Sequence, residues 1–474
     1  MIEWSIFNEI FTVAFNLLYF LIIIGTIMIV VLDNRNPVKT MAWVLVLFFL
    51  PIVGLIFYFF FGRSTRKEKL IGRKGFTRLI KRPMAEYQAQ KAFKCPEDQH
   101  QLMHFFRNVN NALPFEGNKT EVYTDGLSML QSLMKAISKA KHHIHLEFYI
   151  FEDDPVGRLL RDLLIDKARE GVEIRLLYDD VGCWKVPHLF YDEMRGAGIE
   201  ARGFLKVRFP VFTSKVNYRN HRKIVVIDGK VAFTGGMNIA LRYMKGFQWG
   251  IWRDTHIKIE GKAVYGLQTA FLTDWYVVDR TLITSSRYFP EMDSYGNALM
   301  QIVTSDPVGE WRDIMQGLLI AISSSRKYFY IQTPYLLPTE PILMALKTAA
   351  LAGVDIRIMI PERLTHLASL SYLDDMMRAG VKIYLYQKGF LHSKLIVSDD
   401  TLSTVGSTNM DFRSFEHNFE VNAFMYDRTS ALILKEIFLK DQKDAFLLQR
   451  KQWIKRPWYQ KVQESTIRLL APLL

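Results

Sequence analysis

Two long uncharged runs open the chain. From Ile10 to Leu32 there are 23 residues without a charge, rich in Ile, Leu, Phe and Val; after Asp33–Lys39, a second run of 22 extends from Thr40 to Phe61. A helix needs about 20 apolar residues to cross a bilayer core, so each run is long enough. A cleaved signal peptide would begin basic and carry an apolar core of about 7–15 residues. Here the start carries Glu3 and Glu9. The pattern predicts a transmembrane helical hairpin over residues 1–62, with spans at about 10–32 and 40–61.

The flanking charges predict its orientation. The loop between the runs holds only Arg35 and Lys39, whereas Arg63, Arg66, Lys67, Lys69, Arg73, Lys74, Arg78, Lys81 and Arg82 follow the second run. Basic residues stay on the cytoplasmic side, which places both termini and the bulk of the chain there. A basic juxtamembrane linker over 63–115 would also attract anionic lipid, at about 1 kcal/mol per basic residue near the surface.

Past residue 115 the pattern changes to short apolar segments alternating with helix-like stretches, and it is used twice. Gly171-Val172-Glu173-Ile174-Arg175 returns as Gly353-Val354-Asp355-Ile356-Arg357, and Ala197-Gly198-Ile199-Glu200 returns as Ala379-Gly380-Val381-Lys382, both at an offset of 182. Each half opens on a β-rich run, Ile144 to Phe151 or Tyr328 to Tyr335. A helix-like stretch follows, then an apolar strand over 172–178 or 354–360. Such alternation predicts an α/β fold with mixed or parallel pairing. The expected arrangement is two similar α/β halves, 116–290 and 291–474, forming one pseudo-twofold catalytic unit behind the hairpin.

Composition narrows the partners. Lys and Arg total 61 against 48 Asp and Glu, a net charge of +13, which favours nucleic acid, acidic headgroups or phosphorylated substrates. With 49% hydrophobic residues the chain is not disordered. Its two cysteines, Cys95 and Cys183, exclude a disulfide framework and a Cys-based zinc site.

The candidate chemistry lies in one motif that occurs in both halves. His221-Arg222-Lys223 with Asp228, and His392-Ser393-Lys394 with Asp399, both fit H-x-K-x4-D. Gly235 and Asn238 follow His221 by 14 and 17 residues, as Gly406 and Asn409 follow His392. Residues two apart on a strand share a face, so each half offers an imidazole beside an ammonium. If the halves meet about a pseudo-twofold axis, two His and two Lys converge on one point. A phosphate diester suits it: the lysines neutralise oxygens, one His attacks phosphorus and the other protonates the leaving alcohol. Gly235-Gly236 and Gly406-Ser407 would let backbone approach the phosphate, and Asn238 and Asn409 would donate hydrogen bonds to it. The sequence offers no carboxylate cluster for a divalent metal, and the expected site is metal-free.

This duplicated motif resembles the hallmark of the phospholipase D superfamily, over residues 116 to 474. With the twin apolar runs, Asn217-Tyr218-Arg219-Asn220-His221-Arg222-Lys223 and the ending Arg468-Leu469-Leu470-Ala471-Pro472-Leu473-Leu474, the chain is similar to bacterial cardiolipin synthases. The resemblance implies a multi-pass enzyme of the bacterial inner membrane with its catalytic region in the cytoplasm. It would join two phosphatidylglycerol molecules into cardiolipin and glycerol without a cofactor. It also implies that His221 and His392 share the nucleophile and acid/base roles through a phosphatidyl-histidine, with Lys223 and Lys394 on the phosphate. Asp228 and Asp399 belong to the signature but sit at the opposite strand parity, which makes them supports of the turn. A nucleophilic His needs an acceptor at its other nitrogen. The candidates are Asp254, 33 residues after His221, and Glu420, 28 after His392. A phospholipase D-type hydrolase and phosphatidylserine synthesis share this chemistry; the apolar runs argue against a nuclease and a nucleic-acid partner. The basic-aromatic segment Arg450–Tyr459 suggests a membrane interface.

Overall fold

The computed structural model describes residues 2–33, 37–58, 95–206, 218–363 and 367–469. These fall into two compact units, residues 2–58 and residues 95–469. The basic residues from Arg63 to Arg82, on which the expected orientation rests, lie outside the described residues, as do 207–217 and 470–474.

The first unit begins with the 32-residue helix Ile2–Asp33. No proline interrupts it, and Phe7, Phe11, Phe15 and Tyr19 stack at four-residue intervals with ring centroids 6.5 Å apart. Its Glu9–Leu32 stretch is, among the described residues, the one helix long and apolar enough to cross a membrane. The second run departs from expectation. It forms the helix Pro37–Phe49, breaks at Leu50 and resumes as the seven-residue helix Pro51–Phe57. Proline lacks an N–H, and its ring drives the preceding residue out of the helical region. Leu50 accordingly stands at φ −134° and ψ 64°. The chain folds back there. Tyr58 meets the Trp43 ring edge-on at 5.4 Å, where a straight helix would hold residues fifteen apart about 22 Å from each other. Over the described part of the expected second span, 40–58, the chain thus forms two short helices, and among the described residues Glu9–Leu32 is the single candidate span.

The second unit is built on one sixteen-stranded sheet. From the middle outward, one block runs Pro114–Tyr123, His256–Glu260, Val231–Gly235, Ile224–Ile227, His143–Phe148, Glu173–Asp179 and Glu200–Phe204. The other repeats that order with Ala298–Ser305, Asn418–Met425, Leu402–Gly406, Leu395–Ser398, Tyr328–Gln332, Asp355–Pro361 and Lys382–Tyr386. The blocks join where Pro114–Tyr123 pairs antiparallel with Ala298–Ser305, Phe115 opposite Met300. In each block the outer three strands are parallel, because helices carry the chain across, and the inner pairs are antiparallel. Helices Val264–Asp279 and Arg428–Gln442 cover one face, packing Phe271, Trp275, Leu434 and Phe438 onto it.

The last part of the expected linker, 63–115, holds a helix. Leu102, Met103 and Phe106 form one apolar stripe of the helix His100–Asn110 and are buried in the second block's core, Phe106 lying 4.6 Å from the Phe424 ring. His143 and His145 are buried on either side of Gln268, whose amide bonds both rings.

Two matching turns fix the register of the two motif hairpins. Asp228-Gly229 and Asp399-Asp400 both adopt left-handed conformations, φ 51° and 66° in the first and 52° and 60° in the second. Each pair is the centre of a tight turn, closed by Lys230 N–H donating to the Ile227 carbonyl at 3.0 Å and Thr401 N–H donating to that of Ser398 at 3.1 Å. The Asp228 carboxylate accepts the N–H groups of Lys141, His142 and His143 at 2.8–3.0 Å. Asp399 accepts those of Arg326, Lys327 and Tyr328 at 2.6–2.9 Å. Each aspartate thus clamps the start of the neighbouring strand, as the strand parity predicts. Replacing either by alanine is expected to cost about 2–4 kcal/mol, because three amide donors lose a charged acceptor. The measurement is thermal unfolding, alongside an activity per folded molecule within about threefold of the parent, since the lesion is one of stability.

Candidate active site

Each half lends a short strand to the other. Arg219–Asn220, from the first half, pairs in parallel with Asn418–Met425 of the second, and the His221 N–H donates to the Phe419 carbonyl at 3.0 Å. In mirror fashion Gly389–Leu391 pairs in parallel with Ile251–Arg253, and the His392 N–H donates to the Arg253 carbonyl at 2.7 Å. The backbones approach so closely there that a β-carbon on Gly389 would overlap the backbone of Ile251.

This exchange decides which carboxylate meets which histidine. His221 Nδ1 lies 3.1 Å from both oxygens of Glu420, and His392 Nδ1 lies 2.7 Å from Asp254 Oδ2. Both carboxylates named from the sequence therefore contact a histidine, but the expected pairing within each half is corrected: the partners are crossed. With Nδ1 engaged, Nε2 of each ring is left for a reacting atom.

The lysines complete the cluster. Lys223 Nζ donates to the His221 carbonyl at 2.6 Å, and Lys394 Nζ donates to that of His392 at 2.5 Å. Lys394 Nζ also lies 3.1 Å from His392 Nε2. Each lysine acts electrostatically on the other half's histidine, so the four residues share one field. Tyr149 closes one side, its ring 5.2 Å from His221 and 5.6 Å from Lys223 Nζ. Trp252 and Tyr243 flank His392, their rings 5.1 and 6.0 Å away.

Burial dominates the protonation states. It pushes the His221 imidazole down to about 4, against Glu420, and His392 to about 3, with Lys394 adding to the effect. Burial likewise lowers Lys223 to about 7 and Lys394 to about 8. It would raise Glu420 and Asp254, but the adjoining His and Lys groups outweigh it and hold both below the ordinary carboxylate range. At neutral pH the resting site thus pairs ionised carboxylates with neutral imidazoles, beside lysines that respond strongly to an incoming anion; the Nε2 lone pair of His392 accepts from Lys394.

The small residues and amides named from the sequence have partners within the protein. A β-carbon on Gly236 would overlap Asp254 Oδ1, and at the matching position the Ser407 hydroxyl donates to Glu420 Oε2. These small residues make room for the orienting carboxylates. Asn238 Nδ2 donates to the Tyr243 hydroxyl at 2.6 Å, while its Oδ1 accepts the Ile150 N–H at 3.1 Å. Asn409 bonds Asp411. Both amides thus hold the adjoining loops. Asp228 and Asp399 serve the strand starts described above.

Comparison with known proteins bears on what this cluster is. A family profile described as "Cardiolipin synthase, PLD-like domain" matches residues 133–275 and 318–442, more than half of the chain. The chain belongs to the cardiolipin synthase family. A second profile, "Phospholipase_D-nuclease N-terminal", matches residues 17–63. Relatives in the family include the major cardiolipin synthase ClsA of Bacillus subtilis, 39% identical over 478 residues covering 98% of this chain and 99% of that one. The cardiolipin synthase of a Geobacillus species is 41% identical over 458 residues, covering 94% and 91%. Among solved structures, the phosphatidylserine synthase of Haemophilus influenzae superposes with a TM-score of 0.60 at 14% identity, covering 79% of this chain and all of that one. That likeness is one of fold.

Sequence reasoning passed over several groups that hold this family site together. Arg222 lies inside the motif, yet its guanidinium turns away, donating to the carbonyls of Glu420 and Ser305 and to Asp274. Arg253 does the same for the other histidine, binding Asp441 at 2.7 and 3.0 Å. A buried arginine beside a motif histidine was the available signal.

Proposed function

We propose that the protein makes cardiolipin by phosphatidyl transfer between two phosphatidylglycerol molecules. The observation that carries this is the pair of His–Lys sets, each oriented by the other half's carboxylate, within one buried field. Nε2 of one histidine attacks phosphorus and displaces the headgroup glycerol, to which the other histidine gives a proton. The product is a phosphatidyl-histidine. The second histidine then takes the proton from a hydroxyl of the next phosphatidylglycerol; its oxygen attacks phosphorus and the P–N bond breaks. The incoming phosphodiester raises the acid histidine towards its ordinary range, replacing burial's penalty with an opposite charge. Lys223 and Lys394 neutralise the non-bridging oxygens, the role a metal ion plays elsewhere.

We place the reaction at the cytoplasmic face, with Glu9–Leu32 as the anchor and the basic residues after Phe61 on the same side as the catalytic unit. The exposed Trp458 and Tyr459, at the start of the helix Trp458–Leu469, fit a lipid interface. The domain division into 1–62, 63–115, 116–290 and 291–474 is kept as a proposal for the whole chain, with the helix His100–Asn110 assigned to the second half's core.

Purified full-length protein given phosphatidylglycerol alone is expected to yield cardiolipin and glycerol, resolved by thin-layer chromatography, with turnover unchanged by EDTA. Phosphatidic acid with glycerol as the only products would mean that water resolves the intermediate, which is the hydrolase reading. Loss of activity in EDTA, restored by a divalent ion under unchanged lipid presentation, would overturn the metal-free mechanism.

A further inference from the structure

Behind His221 lies a buried polar cluster that the mechanism does not use. The Glu147 carboxylate accepts from Asn220 Nδ2 through Oε1, and the Asn220 N–H in turn donates to Asp179 at 2.8 Å. Glu147 also lies within hydrogen-bonding reach of Asp274, which binds Arg222. Glu147 and Asp274 are each 1% exposed, and among the described residues one oxygen of each, Glu147 Oε2 and Asp274 Oδ1, has no donor. Two buried carboxyl groups at hydrogen-bonding distance, both short of a donor, lack one proton between them.

The second half shows what belongs there. Glu147 pairs across the sheet with Ile224, three residues after His221, and Gln332 pairs with Leu395, three residues after His392. The two positions are equivalent. Asp274 and Asp441 are likewise matched, each on the helix that ends its half's core and each binding a buried arginine, Arg222 beside His221 and Arg253 beside Asp254. In the second half the Gln332 amide donates to Asp441 at 2.8 Å. That leaves one arginine, one carboxylate and one neutral donor, a balanced buried set.

We propose that Glu147 is held as the neutral carboxylic acid and donates its proton to Asp274, as Gln332 donates its amide hydrogen to Asp441. It is a positioning residue: Asp274 aims Arg222, and Arg222 grips the Glu420 carbonyl beside the carboxylate that orients His221. The charged groups facing Glu147 are Asp274 on the covering helix and Arg222, with Asp306 acting on Arg222; the sheet neighbours Leu177 and Ile224 are apolar. Burial, followed by Asp274, raises the Glu147 carboxyl well above its ordinary value, in keeping with this arrangement.

The sign of the pH effect follows. Over the window between the ordinary carboxyl range and the raised folded value, the folded state holds a proton that the unfolded state has lost, so stability falls as pH rises. Glu147→Gln keeps the donor and removes the titration. In full-length protein its melting temperature is therefore expected to gain on the parent's as pH rises above the ordinary carboxyl range. Gln332→Glu is expected to lose on the parent over the same range. Glu147→Ala is expected to lower cardiolipin formation about tenfold or more, and Glu147→Gln to restore it to within about twofold. A Glu147→Gln gap that shrinks or reverses with pH, or a Glu147→Gln protein that fails to fold, would overturn the proposal by requiring an ionised Glu147. A pH-indifferent Gln332→Glu would overturn the equivalence of the two positions. The activity arm rests on the phosphatidyl-transfer reading and the melting arm does not, so the two failures are distinguishable.

Discussion

Replacing His221 or His392 by alanine is expected to reduce cardiolipin formation by at least about 10³-fold, and replacing both is expected to be little worse. The reason is geometric. The short strands Arg219–Asn220 and Gly389–Leu391 are exchanged between the halves, so neither histidine has a complete environment within its own half. Each ring needs a carboxylate from the other half, and each lysine acts on the other half's histidine. Groups that act on one bond in one transition state do not contribute separately, and removing the first already removes most of what the second supplies. If each single variant kept about half the parent rate, with the double variant inactive, the halves would be two independent sites.

The second large effect concerns the crossed carboxylates. Asp254→Asn and Glu420→Gln are each expected to lower turnover by about 10²–10⁴-fold at a stability cost of about 1–3 kcal/mol, so that turnover is read per folded molecule. An amide preserves the shape but offers an N–H where the imidazole needs an acceptor, which turns the ring to the wrong tautomer. It also removes the negative charge that stabilises the imidazolium formed in either step. Both carboxylates are fully buried and hold several donors besides the histidine, Asp254 the Thr255 N–H and Trp252 Nε1, Glu420 the Ser407 hydroxyl and Asn418 Nδ2. An isosteric amide keeps one accepting oxygen, so at position 254 the Thr255 N–H bond is retained while Trp252 Nε1 loses its acceptor.

Much of this site is legible in the sequence because the duplication writes it twice. The offset of 182 and the paired H-x-K-x4-D motifs identify the halves, and strand parity separates the His and Lys from the turn-forming Asp228 and Asp399. What single-chain reading misses is the exchange between halves. Sequence separation favours Asp254 for His221 and Glu420 for His392, whereas two-residue strands such as Arg219–Asn220 carry no periodic signal of their own. The small residues at 236 and 407 were legible as small, but the group they make room for is a carboxylate in contact only after folding. In the second apolar run, Pro51 was visible and its consequence was outweighed by hydropathy; an average over 22 residues does not register the one residue that breaks a helix. The apolar stripe of Leu102, Met103 and Phe106 was likewise hidden by the basic stretch before it.

The central claim is that each histidine works with the other half's carboxylate, and one assay separates it from its alternative. An activated phosphodiester with a good leaving alcohol needs the nucleophile but not the general acid. His221→Ala, His392→Ala, Asp254→Asn and Glu420→Gln are compared by the release of that alcohol, each against its own rate on phosphatidylglycerol. The expected result is that the variants divide into His221 with Glu420 and His392 with Asp254, one pair inactive on both substrates and the other recovering on the activated one. A division into His221 with Asp254 and His392 with Glu420 would contradict it.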